Sequence, residues 1–270
     1  MKRIFIMLLF VCIGFNLSAQ TLHSLVFINK CESEDRKDDR TADYNKMQKF
    51  LTDVANRLGY TNNLRMHTCN EFTVSKALSE VNNLNVREND VVIFYYHGHG
   101  ANLTTNKYDK WPAMHLSPIE DNVDISTFLE QSKLRTELES RCRNAKLVLC
   151  IADCCNGFAF KSNAANTMET RYKDNIKKLF TGFSGQKFIM ISACKAGQLG
   201  YSLSTGSVYG DYFREAIDYY SGQDNPTWES VLSRAQTKTA NDNARRNHTS
   251  EPQYEIINYG SAHSGDVIWK

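Results

Sequence analysis

Five short apolar, β-rich runs punctuate the chain: "LHSLVFIN" (22–29), "NLRMHTC" (63–69), "DVVIFYY" (90–96), "KLVLCIA" (146–152) and "KFIMISA" (187–193). A strand with one wet face alternates apolar and polar residues, so continuous runs of this length predict strands covered on both faces, as in parallel sheets. Helical patterns stand between them. In "ADYNKMQKFLTDVANRLG", Met47, Phe50, Leu51, Val54, Ala55 and Leu58 fall at i, i+3, i+4, i+7, i+8 and i+11, with Gly59 as the stop. Weaker helical patterns run from Thr73 to about Leu84 and from about Asp124 to Arg141, and two more cover 210–220 and 227–246. The alternation predicts an α/β sandwich with right-handed crossovers. "QYEIINYG" reads as an added edge strand, and segments 100–122 and 156–186 read as long loops, which in compact domains are usually functional.

The start of the chain, "MKRIFIMLLFVCIGFNLSAQ", has a basic opening at Lys2 and Arg3, an apolar run from Ile4 to Phe15 and a small-residue exit at Ser18 and Ala19. This is a secretory signal pattern. Its 12 apolar-run residues fall short of the roughly 20 that span a bilayer, so no stable membrane anchor is expected. Residues 1–19 are read as the signal peptide and 20–270 as one exported domain, secreted or periplasmic, since no linker or internal repeat divides it. The full chain carries 32 basic and 30 acidic side chains; losing Lys2 and Arg3 brings the balance to zero, which gives no support to a nucleic-acid partner. Of 8 cysteines, Cys12 leaves with the signal. An odd number then remains in an oxidising compartment, and at least one thiol is unpaired. Cys31, Cys69 and Cys142 lie in polar surroundings and are candidates for pairing, whereas Cys150 and Cys194 sit in or beside apolar runs and read as core residues.

Ligands of open α/β sheets gather at the carboxyl ends of the strands. Two runs end there in reactive side chains: the third in "HGHG" (97–100) and the fourth in "ADCCNG" (152–157). Gly98 and Gly100 permit tight backbone geometry and close approach of a substrate. A cysteine with an upstream histidine is a candidate nucleophile and proton-transfer partner, here Cys155 and His99. The backbone N–H groups of Gly100 and Cys155 are suited to hold an oxyanion. Asp153 stands two residues before Cys155, on the same side if strand geometry persists, where its carboxylate would attract an Arg or Lys of a substrate.

At these residues the chain resembles the caspase-like peptidases. "YYHGHG" is similar to the "YSGHG" box of metacaspases and "ADCCNG" to their "DCCHSG" box, while "FIMISACKAGQ" (188–198) is similar to their "SGCKDDQ" strand end. The resemblance, from Leu22 to about Gly260, implies a caspase-like three-layer α/β/α sandwich with a mostly parallel central sheet. It implies that His99 and Cys155, rather than His97 and Cys154, form the catalytic pair of a cysteine endopeptidase acting through a thioester. Asp153 matches the S1 acid that selects Arg or Lys at P1, and Asp43 matches a second S1 acid more loosely. His97 stands for the family's Ser, Asn156 for its His, and Ala196 and Gly197 for its paired acids. These departures count against calcium activation, common in metacaspases, and no resident cofactor is expected.

Each assignment has a plainer alternative. His97 either lines S1 or hydrogen-bonds a neighbouring loop. Asp153 could cap loop N–H groups, and Asp43 could be a first-turn residue favoured by the helix dipole. Ser192 either touches substrate or bonds its own backbone. The charged run "CESEDRKDDR" (31–40) reads first as a solvated loop and second as a calcium site. Partners are expected to be protein or peptide substrates with a basic P1, the chain acting as monomer or weak dimer, with self-processing at Arg171, Lys173, Lys177 or Lys178 in the segment after the nucleophile. The competing functions are a non-catalytic binding protein on the same fold, and a metal site of His97, His99, Cys154 and Cys155, whose spacing lacks the usual C-x-x-C of zinc sites.

Overall fold

The computed structural model describes residues 19–31, 34–103, 109–119, 123–157, 174–260 and 265–269. The signal segment 1–18 with Cys12, and the processing candidates Arg171 and Lys173, lie outside the described residues. In chain order the elements are β1 (Thr21–Ile28), α1 (Glu34–Leu58), β2 (Thr61–His67), α2 (Val74–Asn82), β3 (Val91–His97), β4 (Gly100–Ala101), β5 (Ala113–His115), β6 (Phe128–Glu130) and α3 (Gln131–Arg141). There follow β7 (Leu147–Asp153), α4 (Ile176–Thr181), β8 (Gln186–Ser192), β9 (Ser202–Leu203), β10 (Gly206–Ser207), α5 (Val208–Ser221), α6 (Trp228–Arg245), β11 (Gln253–Tyr259) and β12 (Gly265–Trp269).

The main sheet has seven strands in the order β12-β11-β8-β7-β3-β1-β2. Strands β2, β1, β3, β7 and β8 run parallel; β11 and β12 are antiparallel additions. The period-two alternation of a strand sorts its side chains into two cores. Val91, Ile93, Tyr95, Leu149, Ile151 and Ile191 face α1, α4, α5 and α6, packing on Leu51, Val54, Phe180, Phe213 and Trp228. Val92, Phe94, Tyr96, Val148, Cys150 and Met190 face α2 and α3, packing on Val81, Leu134 and Leu138. Each such fully buried side chain contributes on the order of 1.5–3 kcal/mol. The arrangement is the expected three-layer α/β/α sandwich with a mostly parallel sheet.

Several local expectations are corrected. β2 forms the edge of the sheet and is only partly covered, so its apolar run is not sandwiched on both faces. β11 is not the edge, because β12 pairs outside it. The charged run 31–40 is not a solvated loop: helix α1 starts at Glu34, and Asp39 and Arg40 are buried. The stretch from Asp124 is not one helix. Asp124 caps a single turn, Ile125–Thr127, and Phe128–Glu130 is drawn into pairing with β5 before α3 begins. Segment 100–122 holds β4 and β5, which with β6 form a small antiparallel sheet. Lys177 and Lys178 lie on α4, not in a loop. Cys31 pairs with Cys69, whereas Cys142 is a buried free thiol. Among the described residues no helix is long and apolar enough to cross a membrane.

Candidate active site

The two chemical boxes leave the sheet side by side. β3 and β7 are neighbours in parallel register, with His97 opposite Asp153, so "HGHG" and "DCCNG" emerge together from the carboxyl edge. Gly98 N–H donates to Asp153 O at 3.4 Å, tying the two exits. His99 is fixed by its carbonyl, which accepts from His115 N–H at 2.9 Å and lies 2.5 Å from the Tyr96 hydroxyl. That ladder bond makes Gly100 and Met114 a non-hydrogen-bonded pair, so the Gly100 N–H points away from β5. Gly100 is also where the boxes touch. A methyl group on it would stand 2.5 Å from both the Cys154 sulfur and the Cys155 carbonyl oxygen.

On the Cys155 side, strand geometry ends at Asp153 and the chain bends at Cys154. Cys154 turns into the α2/α3 core, as expected of a packing residue, while Cys155 stays partly exposed with its sulfur 3.7 Å from Gly200 O. The next turn is clamped: Asn156 N–H donates to Gln198 O, Gly197 N–H donates to Asn156 O, and Asn156 Nδ2 donates to Lys110 O at 2.7 Å. Burial pushes the thiols of Cys142 and Cys150 up to about 12 and those of Cys154 and Cys194 well above the ordinary range. Those four are therefore protonated packing groups at neutral pH.

Cys155, His99, His97, Asp153, Arg40 and Ser202 line one cavity together with Gly98, Cys154, Gly200 and Tyr201. Behind it lies a buried charge cluster. Asp43, from α1, is fully buried. Its Oδ1 accepts from Arg214 Nη2 at 2.9 Å and its Oδ2 from the Tyr95 hydroxyl at 2.7 Å. His97 Nδ1 lies 2.9 Å from the same Oδ2, off the hydrogen-bond direction. Burial alone would raise the Asp43 carboxyl, but Arg214, then His97 and Tyr95, outweigh it and hold it well below the usual carboxylate range. Asp153 is different. Its Oδ2 is 2.9 Å from the Tyr95 hydroxyl and it bonds Ser207, yet burial prevails and its carboxyl is raised. One phenolic hydrogen stands between two carboxyls whose surroundings shift them in opposite directions.

The structure thus brings His99, Cys155, Gly100, Asp153 and His97 together. It leaves Asp43 behind His97 and puts Ser192 in the plainer role, buried with its hydroxyl donating to Cys194 O at 2.8 Å. Sequence reasoning missed Arg40, Tyr95, Arg214 and Ser202. Tyr95 was detectable, since it precedes His97 by two on the same strand face. Arg40 and Arg214 were not, because their contacts are set by tertiary packing. Among the described residues, no group of three or more His, Cys, Asp or Glu side chains is placed to hold a metal ion.

A parallel-sheet sandwich with cysteine and histidine at adjacent strand ends defines the caspase-like class of α/β proteins. The comparisons agree: residues 24–258 match the caspase domain of peptidase family C14, and the chain belongs to that family. Its fold is similar to that of GSU0716 from Geobacter sulfurreducens, with TM-score 0.51 at 13% identity over 87% of this chain and 91% of that one. It is also similar to caspase-1 from Spodoptera frugiperda, with TM-score 0.50 at 12% identity over 87% of this chain and 84% of that one. No curated protein matches the chain in sequence.

Proposed function

We propose that the protein is a cysteine endopeptidase that cleaves after Arg or Lys. Cys155 sulfur attacks the scissile carbonyl carbon, the Gly100 and Cys155 N–H groups hold the oxyanion, and His99 passes a proton to the departing amine. Water, relieved of a proton by His99, then releases the acyl group from the thioester. The reading is carried by one observation, the joint presence of His99, Cys155 and Asp153 in the lining of a single cavity. A cationic P1 side chain would supply the counter-charge that favours the ionised form of Asp153, whose burial otherwise disfavours it.

Export is proposed on the apolar N-terminal segment together with the Cys31–Cys69 disulfide, a bond that persists in oxidising compartments. Self-processing is proposed at Arg171 or Lys173. Cleavage at Lys177 or Lys178 would first require α4 to unwind. Partners are proposed to be peptides or proteins with a basic P1, met by a monomer or weak dimer.

Fluorogenic peptides differing only at P1, with Arg, Lys, Asp or Leu, test the function against a Cys155→Ala control. Turnover of the Arg and Lys peptides, lost in the control, is expected; hydrolysis after Asp or Leu alone would reject the pocket assignment. If a peptidyl chloromethylketone leaves Cys155 unmodified in the folded protein, the non-catalytic binding role takes its place.

A further inference from the structure

The mechanism leaves His97 without a task, although it is 2% exposed and lines the cavity beside Cys155. Its two ring nitrogens face opposite ways. Nδ1 stands against Asp43 Oδ2; Nε2 accepts from Arg40 Nη1, since a guanidinium only donates, and is 3.0 Å from Ser202 Oγ. The imidazole is therefore a partition. On one side is the cavity; on the other is Asp43, walled in by Tyr95, Arg214 and Gly206. Asp153 is the single carboxylate among the described residues that line the cavity, and one of its oxygens is already engaged by Tyr95.

Resting on the proposed cleavage after basic residues, we infer that His97 determines which basic residue is preferred, by withholding Asp43 from the substrate. An arginine side chain gains its advantage over lysine from bidentate pairing, two parallel N–H donors on two acceptor oxygens. The wild-type pocket offers a single carboxyl, already bonded by Tyr95 and Ser207, and, through Arg40, a like charge in the same wall. Such a pocket suits the compact point charge of lysine at least as well as the fork of arginine. Removing the imidazole uncovers Asp43 Oδ2 next to Asp153, and the fork then finds two acceptors on two carboxylates.

The test is the ratio of kcat/KM for two peptides that differ only in P1 Arg or P1 Lys, measured on the same preparation so that the fraction of folded enzyme cancels. Wild type is expected to show a ratio near one or below it. His97→Ser is expected to raise the ratio about tenfold, the worth of one added charge-assisted hydrogen bond. Arg40→Met, which lowers the like charge while Ser202 and Asp43 still flank the imidazole, is expected to raise both rates severalfold and leave the ratio within about twofold. An unchanged ratio in H97S overturns the inference, as does a ratio that moves in R40M but not in H97S. Loss of all turnover in H97S also overturns it, by assigning His97 to the fold or the chemistry instead of selection. Failure of the underlying reading looks different: neither basic peptide is cut by wild type while the Asp or Leu peptide is.

Discussion

Replacing Asp43 with alanine separates a structural acid from a substrate-facing one. The carboxylate is fully buried and binds Arg214 and Tyr95. Its removal leaves the Arg214 guanidinium, itself 8% exposed, with Asp211 at 2.7 Å as a partner while Nη1 already lacks one. Breaking a buried pair from one side costs up to about 3–5 kcal/mol, and here the remaining guanidinium keeps only Asp211, which is less deeply buried than Asp43. That is a large share of the 5–15 kcal/mol by which domains are commonly stable. Urea unfolding followed by tryptophan fluorescence and far-UV circular dichroism should show the midpoint falling by about 1–2 M, for a slope of about 3 kcal/mol/M. The double variant Asp43→Ala with Arg214→Met should recover part of the loss, since no buried charge is then stranded. The sign with pH is fixed by the depressed carboxyl. Its contribution is complete above the ordinary value of 3.8 and is lost as pH falls below it toward the folded value. The penalty of D43A should therefore be full at pH 7 and shrink below pH 3.8. A loss of under about 1 kcal/mol at pH 7 would refute the reasoning, and would mean that Asp43 is hydrated and open to substrate.

Three further outcomes are expected. Gly100→Ala puts a methyl group 2.5 Å from the Cys155 carbonyl oxygen and the Cys154 sulfur; turnover should fall at least about a hundredfold, as for other misplacements of about 1 Å, and unchanged kinetics would contradict the close contact of the two boxes. Iodoacetamide at pH 8, followed by peptide mapping, should label Cys155 ahead of Cys142, Cys150, Cys154 and Cys194, whose thiols burial keeps protonated; equal labelling of any of these would show that the core opens. Cys31→Ser with Cys69→Ser should lower stability by about 3–4 kcal/mol, the loop-closure value for a separation of 38 residues; thermal melts of wild type with reductant should agree with that variant, and melts without reductant should lie above it.

What could be read from residues alone follows the physics of each signal. Apolar continuity identified the buried strands β1, β3, β7 and β8, because both faces of a parallel sheet are covered and polar residues are kept there only where they find a partner or sit at a strand end. The same test found β2 as a strand but not its coverage: Met66 and Leu64 pack on one core and His67 is buried, while Thr61 and Asn62 are exposed. Periodicity found the second half of α1 through Met47, Leu51 and Val54 and missed its first turns, whose residues Asp39, Arg40 and Asp43 are buried through charge and not through apolar area. Asp43 meets its partner Arg214 across 171 residues of chain, a distance at which no local pattern operates. β6 went unseen for a related reason: Phe128–Glu130 extends because β5 is beside it, and pairing overrode the helical preference of its neighbours.

The site divides along the same line. His99, Cys155, Gly100 and Asp153 were legible because strand ends are places where sequence order and spatial order coincide: two parallel neighbours deliver their next residues to one edge. The environment of those residues was not legible, since it is built by α1 and α5 arriving from elsewhere. That division also says what each part controls. In the proposed reading, a thiol and an imidazole at one sheet edge set the reaction, whereas the charges brought by Arg40, Asp43 and Arg214 govern the surroundings of Asp153. In this chain the acid read from the motif, Asp153, has its carboxyl raised by burial, and the loosely matched one, Asp43, has its carboxyl lowered against burial by Arg214 and His97. Since Tyr95 bridges the two, a change at either acid must be felt at the other. Under the proposed cleavage after basic residues, selection is a property of the cluster, and single replacements at Asp153 should be interpreted only beside the matching replacement at Tyr95, for which Tyr95→Phe removes the shared hydrogen and leaves the packing.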